Sequence, residues 1–270
     1  MNRRLLFGIM LGVVVAVFAG IFLALNKKSI NPDKISSVPV QELYENAMAL
    51  EEKNELLQAK EAYQKIISDY SDFKDISQAQ KKLEALNMKV IFSAIETPKT
   101  TFYEVQPGNS IARIAKQYNT TVELIKRSNN LTSDIIKVGQ HLRIWKGVFS
   151  VFADKSQNIL ILKSDDEVVK VYTVSTGKNN CTPVGTFKIV DKLLNPVWFK
   201  SGAVVPPNSP ENILGTRWMG FDVPGYGIHG TTEPESLGQQ VTAGCIRMRN
   251  QEVEELYSLL PVGTQVTIVD

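Results

Sequence analysis

The sequence predicts a chain of mixed fold class in four parts, of which the last and largest is a mostly-β domain. Three observations lead to this prediction. Residues 5–25 carry no charge, apolar residues recur at three- and four-residue steps over residues 40–95, and short β-branched runs fill residues 148–270. A strand–helix–helix–strand pattern over residues 101–146 precedes the β domain.

The composition is that of folded protein and excludes several classes. The chain has 270 residues, 43% hydrophobic content, 21% charged residues and a net charge of +2, which excludes a disordered or collagen-like protein. Thirty basic residues against 28 acidic ones leave no excess to neutralise a phosphate backbone, so nucleic acid is not expected as a partner. Two cysteines and two histidines without ligand-like spacing predict no metal site.

The first part, residues 1–28, contains a segment long enough to span a bilayer. As a helix, Leu5 to Leu25 would be about 30 Å long, the thickness of the hydrocarbon core. Two arginines precede it and two lysines follow it, so the positive-inside rule only weakly favours a cytoplasmic N-terminus. A signal peptide cleaved near Ala19 is the alternative, but the apolar run continues past that point. Either way, we expect the rest of the chain outside the cytoplasm.

The second part, residues 40–95, is predicted to form two to three amphipathic helices. The run from Ala59 to Tyr70 resembles one tetratricopeptide-like helix pair. A solenoid needs about three stacked repeats to bury its faces, so a helical spacer or a dimerisation hairpin is the alternative to a protein-binding groove. The sequence leaves open whether this block has a protein partner.

The third part is predicted to be a strand, two helices and a returning strand. Its first strand alternates around Tyr103, and residues 107–110 supply a turn and a helix cap. Thr120 and Glu123 have the spacing of a capping box for the second helix. Residues 139–144 have the pattern of the returning strand.

This third part resembles the LysM family, a βααβ module that binds N-acetylglucosamine-containing glycans such as peptidoglycan. The resemblance rests on Tyr103, Val105, Gly108, Ser110, Ile114, Ala115, Leu124, Asn129, Leu131, Gly139, Gln140, Leu142 and Ile144. Two positions depart from the family pattern, because Asn109 replaces the usual Asp and Trp145 stands where Pro is common. The resemblance places the sugar groove at Gly108, Asn109, Ser110, Ile111, Ile135 and Ile136.

The residues of the β domain that suggest chemistry fall in two glycine-rich stretches. His229 lies within residues 225–231, and Cys245 lies within residues 242–248. A thiol that attacks a carbonyl needs a base to take its proton and donors for the resulting oxyanion. One Cys and one His among glycines therefore suggest acyl transfer. A buried structural Cys with an unrelated turn His remains the alternative on chemistry alone.

The same residues resemble the L,D-transpeptidase catalytic domain (YkuD type), which joins a His-Gly pair to a later Ser/Thr-x-Gly-Cys-x-Arg/Asn. The two halves here are residues 229–231 and 242–247. Further matching pieces follow the family's order at residues 175–178, 182–187, 195–198 and 214–218. The resemblance implies a cysteine acyltransferase without metal or organic cofactor.

The resemblance also implies a mechanism on peptidoglycan. Cys245 as nucleophile, with His229 as general base, would attack a tetrapeptide stem, release D-alanine and form a thioester. Transfer to an amine would give a 3→3 cross-link. The implied oxyanion donors are the backbone N–H groups of Gly244 and Cys245, and Arg247 would stabilise a loop or pair a stem carboxylate. The residues expected around the substrate are Tyr226, Gly230, Thr231 and Thr242.

Several alternatives remain open in the sequence. Many family members have His where this chain has Ala243, so a non-catalytic wall-binding scaffold is one alternative. Water as acceptor would make the protein an L,D-carboxypeptidase. An exported chain could also join Cys181 to Cys245 in a disulfide that silences the nucleophile. The expected location is the bacterial cell envelope, with a membrane anchor and an external catalytic domain.

Overall fold

The computed structural model describes residues 39–200 and 202–270, and the chain divides into two units between Ile91 and Phe92. The apolar segment predicted at residues 5–25 lies outside the described residues. Among the residues that are described, no helix combines the length and apolar character that crossing a membrane requires.

The first unit consists of three helices, which are α1 (Val40–Glu52), α2 (Leu56–Asp69) and α3 (Ile76–Ile91). Their apolar stripes form a core in which Tyr63 is fully buried. The Tyr44 ring packs between Tyr63 and Phe73, with centroid distances of 5.9 Å and 5.4 Å. The amphipathic helices predicted from the periodicity are therefore confirmed.

The second unit opens with the βααβ module. Its elements are β1 (Thr100–Glu104), α4 (Ile111–Gln117), α5 (Val122–Ser128) and β2 (His141–Trp145). The two strands pair antiparallel, with Phe102 opposite Arg143. The buried side chains between sheet and helices are Val105, Ile111, Ile114, Ala115, Ile125, Leu142 and Ile144. The predicted order of elements is confirmed.

The capping residue of α5 differs from the sequence prediction by one position. Thr121, not Thr120, accepts a hydrogen bond from the Leu124 amide at 2.9 Å. Thr120 cannot take that place because its own amide closes the preceding helix on the Ala115 carbonyl, at 2.9 Å. The predicted capping box with Glu123 is therefore wrong, although a helix begins there as expected.

The remainder of the second unit is built on an eight-stranded sheet. Its strands are β3 (Phe149–Asp154), β4 (Ile159–Ser164), β5 (Glu167–Thr173), β7 (Gly185–Leu194), β10 (Arg217–Phe221), β11 (Gly227–His229), β13 (Ile246–Arg247) and β14 (Gln265–Val269). Their order across the sheet is β13-β11-β10-β7-β14-β3-β4-β5. Short pairs join β6 (Thr176–Gly177) to β12 (Gln240–Thr242), and β8 (Trp198–Lys200) to β9 (Ala203–Val205). The mostly-β prediction for this domain is confirmed.

One helix, α6 (Asn250–Leu259), follows β13 directly. It buries Val253, Leu256 and Tyr257. Its N-cap is Arg249, and no side-chain hydrogen bond caps it there. The last strand begins after a turn in which the Thr264 amide and hydroxyl both bond the Pro261 carbonyl.

The βααβ module docks onto α6. Thr121 Oγ1 donates a short hydrogen bond to the Ser258 carbonyl, and Arg127 Nη1 donates to Ser258 Oγ at 3.1 Å. The Arg127 guanidinium also lies over the Phe92 ring. These contacts fix α5 against the C-terminal turn of α6.

Asn129 ties the end of α5 to β2. Its Nδ2 donates to the carbonyls of Ile125 and Arg143, both at 2.8 Å, and its Oδ1 accepts from the Arg143 amide at 2.7 Å. Asn129→Ala removes all three bonds, so we expect a loss of about 1–3 kcal/mol in the free energy of unfolding. Urea unfolding followed by tryptophan fluorescence measures it, since the three tryptophans of the chain lie in the second unit.

Asn130→Gly is the matched control for this prediction. Asn130 is exposed and has a φ of +55°, a conformation that glycine adopts without strain. Its change should stay within about 0.5 kcal/mol. Equal unfolding curves for the two variants would contradict the role given to Asn129.

Candidate active site

Two short parallel strands at one edge of the large sheet bring the predicted histidine and cysteine together. Strands β11 and β13 pair with Ile228 opposite Ile246 and His229 opposite Arg247. Cys245 directly precedes β13. Because side chains alternate across a strand and paired residues share a face, Cys245, Arg247 and His229 lie on the same face of the sheet. The pairing of these two strands thus brings together the motif that contains His229 and the motif that contains Cys245.

The His229 imidazole is buried and held by its neighbours. Its Nδ1 lies 2.7 Å from the Gly230 carbonyl oxygen, and its ring stacks on Trp218 with centroids 6.0 Å apart. Burial lowers the pKa of His229 to about 4, although the Gly230 carbonyl opposes this shift. A carbonyl only accepts hydrogen bonds, so Nδ1 carries the proton of the neutral ring. At neutral pH, Nε2 is therefore an unprotonated nitrogen that can act as a base.

The Cys245 thiol is half-buried beside the glycines that precede His229. Its Sγ donates to the Gly225 carbonyl at 3.4 Å. Burial raises the pKa of the Cys245 thiol, while the Gly227 amide and the charge of Arg247 favour the thiolate. Within residues 39–200 and 202–270, no hydrogen bond joins Sγ to the imidazole. The resting site is thus a neutral thiol near a neutral imidazole.

A tight turn before Cys245 shapes the backbone. Thr242 Oγ1 donates to the Cys245 carbonyl at 2.6 Å and accepts from the Gly244 amide at 3.1 Å. Gly244 has a φ of +124°, and a Cβ there would lie 2.6 Å from the Tyr226 ring. Only glycine fits this position. The Gly244 amide, expected from the sequence to hold the oxyanion, is occupied by Thr242 in this structure.

Arg247 acts on the neighbouring loop. Its Nη1 donates to Glu233 Oε2 at 2.7 Å and to Ser236 Oγ at 3.0 Å. The side chain is buried, and its backbone pairs with Ser175. Of the two roles expected from the sequence, loop stabilisation is the one that these contacts support.

The four residues expected around the substrate divide into two groups. Tyr226 is partly exposed, and its ring lies against Gly244, next to Cys245. Gly230, Thr231 and Thr242 are buried, and Thr231 Oγ1 accepts from the Glu233 amide at 2.9 Å. These three buried residues support the site from its interior side. Of the four, Tyr226 is the one placed to contact a ligand.

Some of the residues expected to bind glycan are open to solvent, whereas others make hydrogen bonds within the loop. Ile135 is 80% exposed, and Gly108 lies in an open, exposed turn. Ser110 caps α4, and Asn109 Oδ1 accepts from Tyr103 Oη at 2.6 Å and from the Gln106 amide at 3.0 Å. These are structural bonds of the loop.

Two isoleucines among the glycan candidates belong with the module's interior. The prediction that Ile111 binds glycan is wrong. Its side chain is only 2% exposed and lies in the module core, where a sugar cannot reach it. Ile136 is partly buried against the same core. Of the six candidates, Gly108, Ser110 and Ile135 are exposed, and the Ser110 hydroxyl is engaged in the cap of α4.

Cys181 lies beside the turn that precedes Cys245. Its Sγ is 4.0 Å from the Thr242 carbonyl, and both cysteines are free thiols. Lys155 holds the loop by donating to the Asn180 and Thr182 carbonyls at 3.1 Å and 3.0 Å. The disulfide considered from the sequence is not formed in this structure.

Sequence reasoning did not single out three residues of this site. Gly225 and Gly227 contact the thiol through their backbones, and the glycine-rich stretch before His229 was the available signal. Asn250 bonds the Thr231 backbone from the first turn of α6. No pattern in the sequence marks that contact. No cluster of three or more His, Cys, Asp or Glu side chains suited to a metal occurs in the described parts of the chain.

Comparison with known proteins shows which families this unit is similar to. Residues 149–268 match the family model of the L,D-transpeptidase catalytic domain (YkuD), and residues 103–145 match the LysM domain. A putative L,D-transpeptidase, YqjB of Bacillus subtilis, is 45% identical over 126 residues, which are 44% of this chain and 70% of that protein. A putative L,D-transpeptidase, YkuD of Bacillus licheniformis, is 33% identical over 175 residues, 62% of this chain and 97% of that protein.

Solved structures include one of an L,D-transpeptidase from Mycobacterium tuberculosis. It aligns with 50% of this chain and 64% of that chain, at 19% identity and a TM-score of 0.40.

The buried histidine makes stability depend on pH. The pKa of His229 is about 4 in the folded chain and about 6.5 when unfolded, so the unfolded state binds more protons between these values. The stabilisation that comes from keeping His229 neutral is fully present above pH 6.5 and is lost as pH falls toward 4. The unfolding free energy of the wild type minus that of His229→Gln should fall by about 3 kcal/mol from pH 7 to pH 4. A pH-independent difference in urea unfolding would contradict the burial of a neutral ring.

Proposed function

Because this chain belongs to the L,D-transpeptidase family of the YkuD type, we propose that it acts on peptidoglycan as a cysteine acyltransferase. The observation that carries the proposal is the pairing of β11 with β13, which puts Cys245 and His229 on one face of the sheet. The family membership rests on the match over residues 149–268 and on the 45% identical relative. The names of the relatives, putative L,D-transpeptidases, suggest the class of reaction.

In the first half-reaction, Cys245 Sγ attacks the carbonyl carbon of the third residue of a tetrapeptide stem. Its proton passes to His229 Nε2 as the carbon–sulfur bond forms. Both groups start uncharged, so proton transfer accompanies the attack instead of preceding it. The carbon–nitrogen bond to D-alanine then breaks, and the imidazolium returns the proton to the leaving amine. The product is a thioester on Cys245.

The oxyanion of the tetrahedral intermediate needs donors in the same place. Backbone N–H groups around a tight turn are suited to this role because they are fixed before the reaction. The Cys245 amide is the proposed donor, since Thr242 engages the Gly244 amide. The buried Arg247 side chain braces the neighbouring loop through an ion pair at 2.7 Å with the half-exposed Glu233.

In the second half-reaction, the side-chain amine of a neighbouring stem attacks the thioester. The carbon–sulfur bond breaks, the amine proton returns to the thiolate by way of His229, and a 3→3 cross-link forms. Water in place of the amine would release a free stem carboxylate. The protein would then be an L,D-carboxypeptidase, an outcome that the same experiment distinguishes.

The βααβ module is proposed to hold the enzyme on the wall by binding glycan. The match to the LysM domain and the exposure of Ile135 support this role. The bacterial cell envelope is the corresponding location, with residues 5–25 as membrane anchor and the catalytic domain outside the cytoplasm. For the helical block, a spacer or a site for a protein partner is proposed.

Intact-mass spectrometry tests the acyl-enzyme. After incubation with a disaccharide-tetrapeptide, the wild type should gain the mass of the stem without D-alanine, and Cys245→Ala should gain nothing. His229→Gln should slow adduct formation by about 10²–10⁴-fold, the range of general base catalysis. Cys181→Ala is the matched thiol control and should form the adduct as the wild type does.

The fate of the adduct decides the acceptor. Cross-linked dimers after addition of a second stem support transpeptidation, whereas a free tripeptide stem alone supports carboxypeptidase activity. An adduct on Cys245→Ala would contradict the assignment of the nucleophile. Failure of the wild type to form any adduct, with both thiols free, would favour the non-catalytic scaffold.

Co-sedimentation with insoluble peptidoglycan tests the wall-binding role. In the Cys245→Ala background, Ile135→Asp should reduce the bound fraction several-fold, because an exposed apolar contact of the proposed groove is replaced by a charge. Val262→Asp is the matched control, since Val262 is 56% exposed at a turn of the catalytic domain. Equal retention of the two variants would remove Ile135 from the glycan site.

A further inference from the structure

The base function of His229 depends on one carbonyl group. Nδ1 bonds the Gly230 carbonyl at 2.7 Å, and this contact keeps the proton on Nδ1 and leaves Nε2 free. The Ile213 carbonyl also interacts with the ring and contributes less to its pKa than Gly230 does. A competing acceptor is thus present, and the tautomer depends on the Gly230 carbonyl keeping its direction.

That carbonyl belongs to the peptide unit that joins Gly230 to Thr231. The unit is planar, so its C=O and its N–H point in opposite directions and turn together. Glycine has little steric restriction on its backbone dihedrals, so Gly230 by itself does not fix the plane. Something else must hold the N–H end.

Asn250 holds it from the first turn of α6. Its Oδ1 accepts from the Thr231 amide at 3.1 Å and from the Thr216 amide at 3.2 Å. Its Nδ2 donates to the Thr231 carbonyl at 2.9 Å. The side chain therefore engages both backbone polar groups of Thr231.

Two neighbouring glycines leave open the space that this side chain occupies. A Cβ on Gly230 or on Gly215 would collide with Asn250 Oδ1. The two glycines next to Thr231 and Thr216 are therefore required by the asparagine. Arg249, which directly precedes Asn250, is exposed. Among the described residues it makes no comparable contact with the Gly230–Thr231 peptide.

We propose that Asn250 is a positioning residue that sets the tautomer of His229 through the Gly230–Thr231 peptide. Without it, this peptide can turn so that the Thr231 N–H faces Nδ1. An N–H is a donor, so Nδ1 would then be the acceptor and the proton would move to Nε2. In that tautomer Nε2 cannot take the thiol proton. The catalytic consequence rests on the proposed function, whereas the tautomer itself does not.

Nuclear magnetic resonance of the full chain with ¹⁵N-labelled histidine tests this proposal. His141→Gln serves as the background, because it leaves His229 as the single histidine of the chain. At pH 7 the wild-type site should show a protonated Nδ1 and an unprotonated Nε2. Asn250→Ala should shift a large part of the population to the Nε2-protonated form.

Kinetics on the same variants provide the second readout. Asn250→Ala should lower kcat by about 10–100-fold with a smaller change in KM, since the substrate contacts remain. Asn250→Asp is the conservative variant, because a carboxylate oxygen still accepts from Thr231 and Thr216. It should keep the Nδ1-protonated ring and most of the activity.

A folded Asn250→Ala protein with the wild-type tautomer would overturn the proposal, even if its stability fell. Should that variant not fold, Asn250→Asp decides, because a loss of the Nδ1-protonated form in it would contradict the role of the acceptor. Failure of the proposed function is separate: the wild type would then form no acyl-enzyme, while the tautomer shift on removing Asn250 would still be observed.

Discussion

The parallel pairing of two very short strands is the constraint on which the site depends. Strands β11 and β13 pair at only two positions, yet this register fixes which face of the sheet His229 and Cys245 share. A slip by one residue would send the thiol to the opposite face. The long antiparallel strands behind them hold this edge in place, with β10 pairing β11 and Trp218 opposite His229.

Burial then determines the chemistry of the pair. It lowers the pKa of His229 to about 4 and raises that of Cys245, so the resting site holds no ion pair. The neutral form of each group is the one that general base catalysis requires at the start. Backbone groups of glycines contact both side chains. Asn250 braces the Thr231 peptide, and Arg247 braces the loop at Glu233. Helix α6 connects these parts, because its first turn reaches the Thr231 peptide and its last turn bears the βααβ module.

Much of the fold follows from the sequence, because its longer elements have clear periodicity. The periodicity predicts the helices of the first unit, and the β-branched runs predict the mostly-β character of residues 148–270. The two- and three-residue strands were not predicted, since a period cannot be read from so few residues. Cys245 and His229 were found through family motifs. The role of Asn250 was missed because its contacts are with backbone groups distant in sequence. Ile111 was wrongly assigned to the sugar groove because a loop motif does not show which side chain turns into the core.

Mass spectrometry of Cys245 acylation by a disaccharide-tetrapeptide, followed between pH 3.5 and pH 8, tests whether the thiol and the imidazole are both neutral at rest. We expect no acid-side inflection of the rate near pH 6.5, where an ordinary histidine titrates, and a decline of the rate only as His229 protonates near its pKa of about 4. An acid limb at about pH 6.5 that disappears in His229→Gln would contradict this expectation, because the imidazole would then be solvated and ordinary.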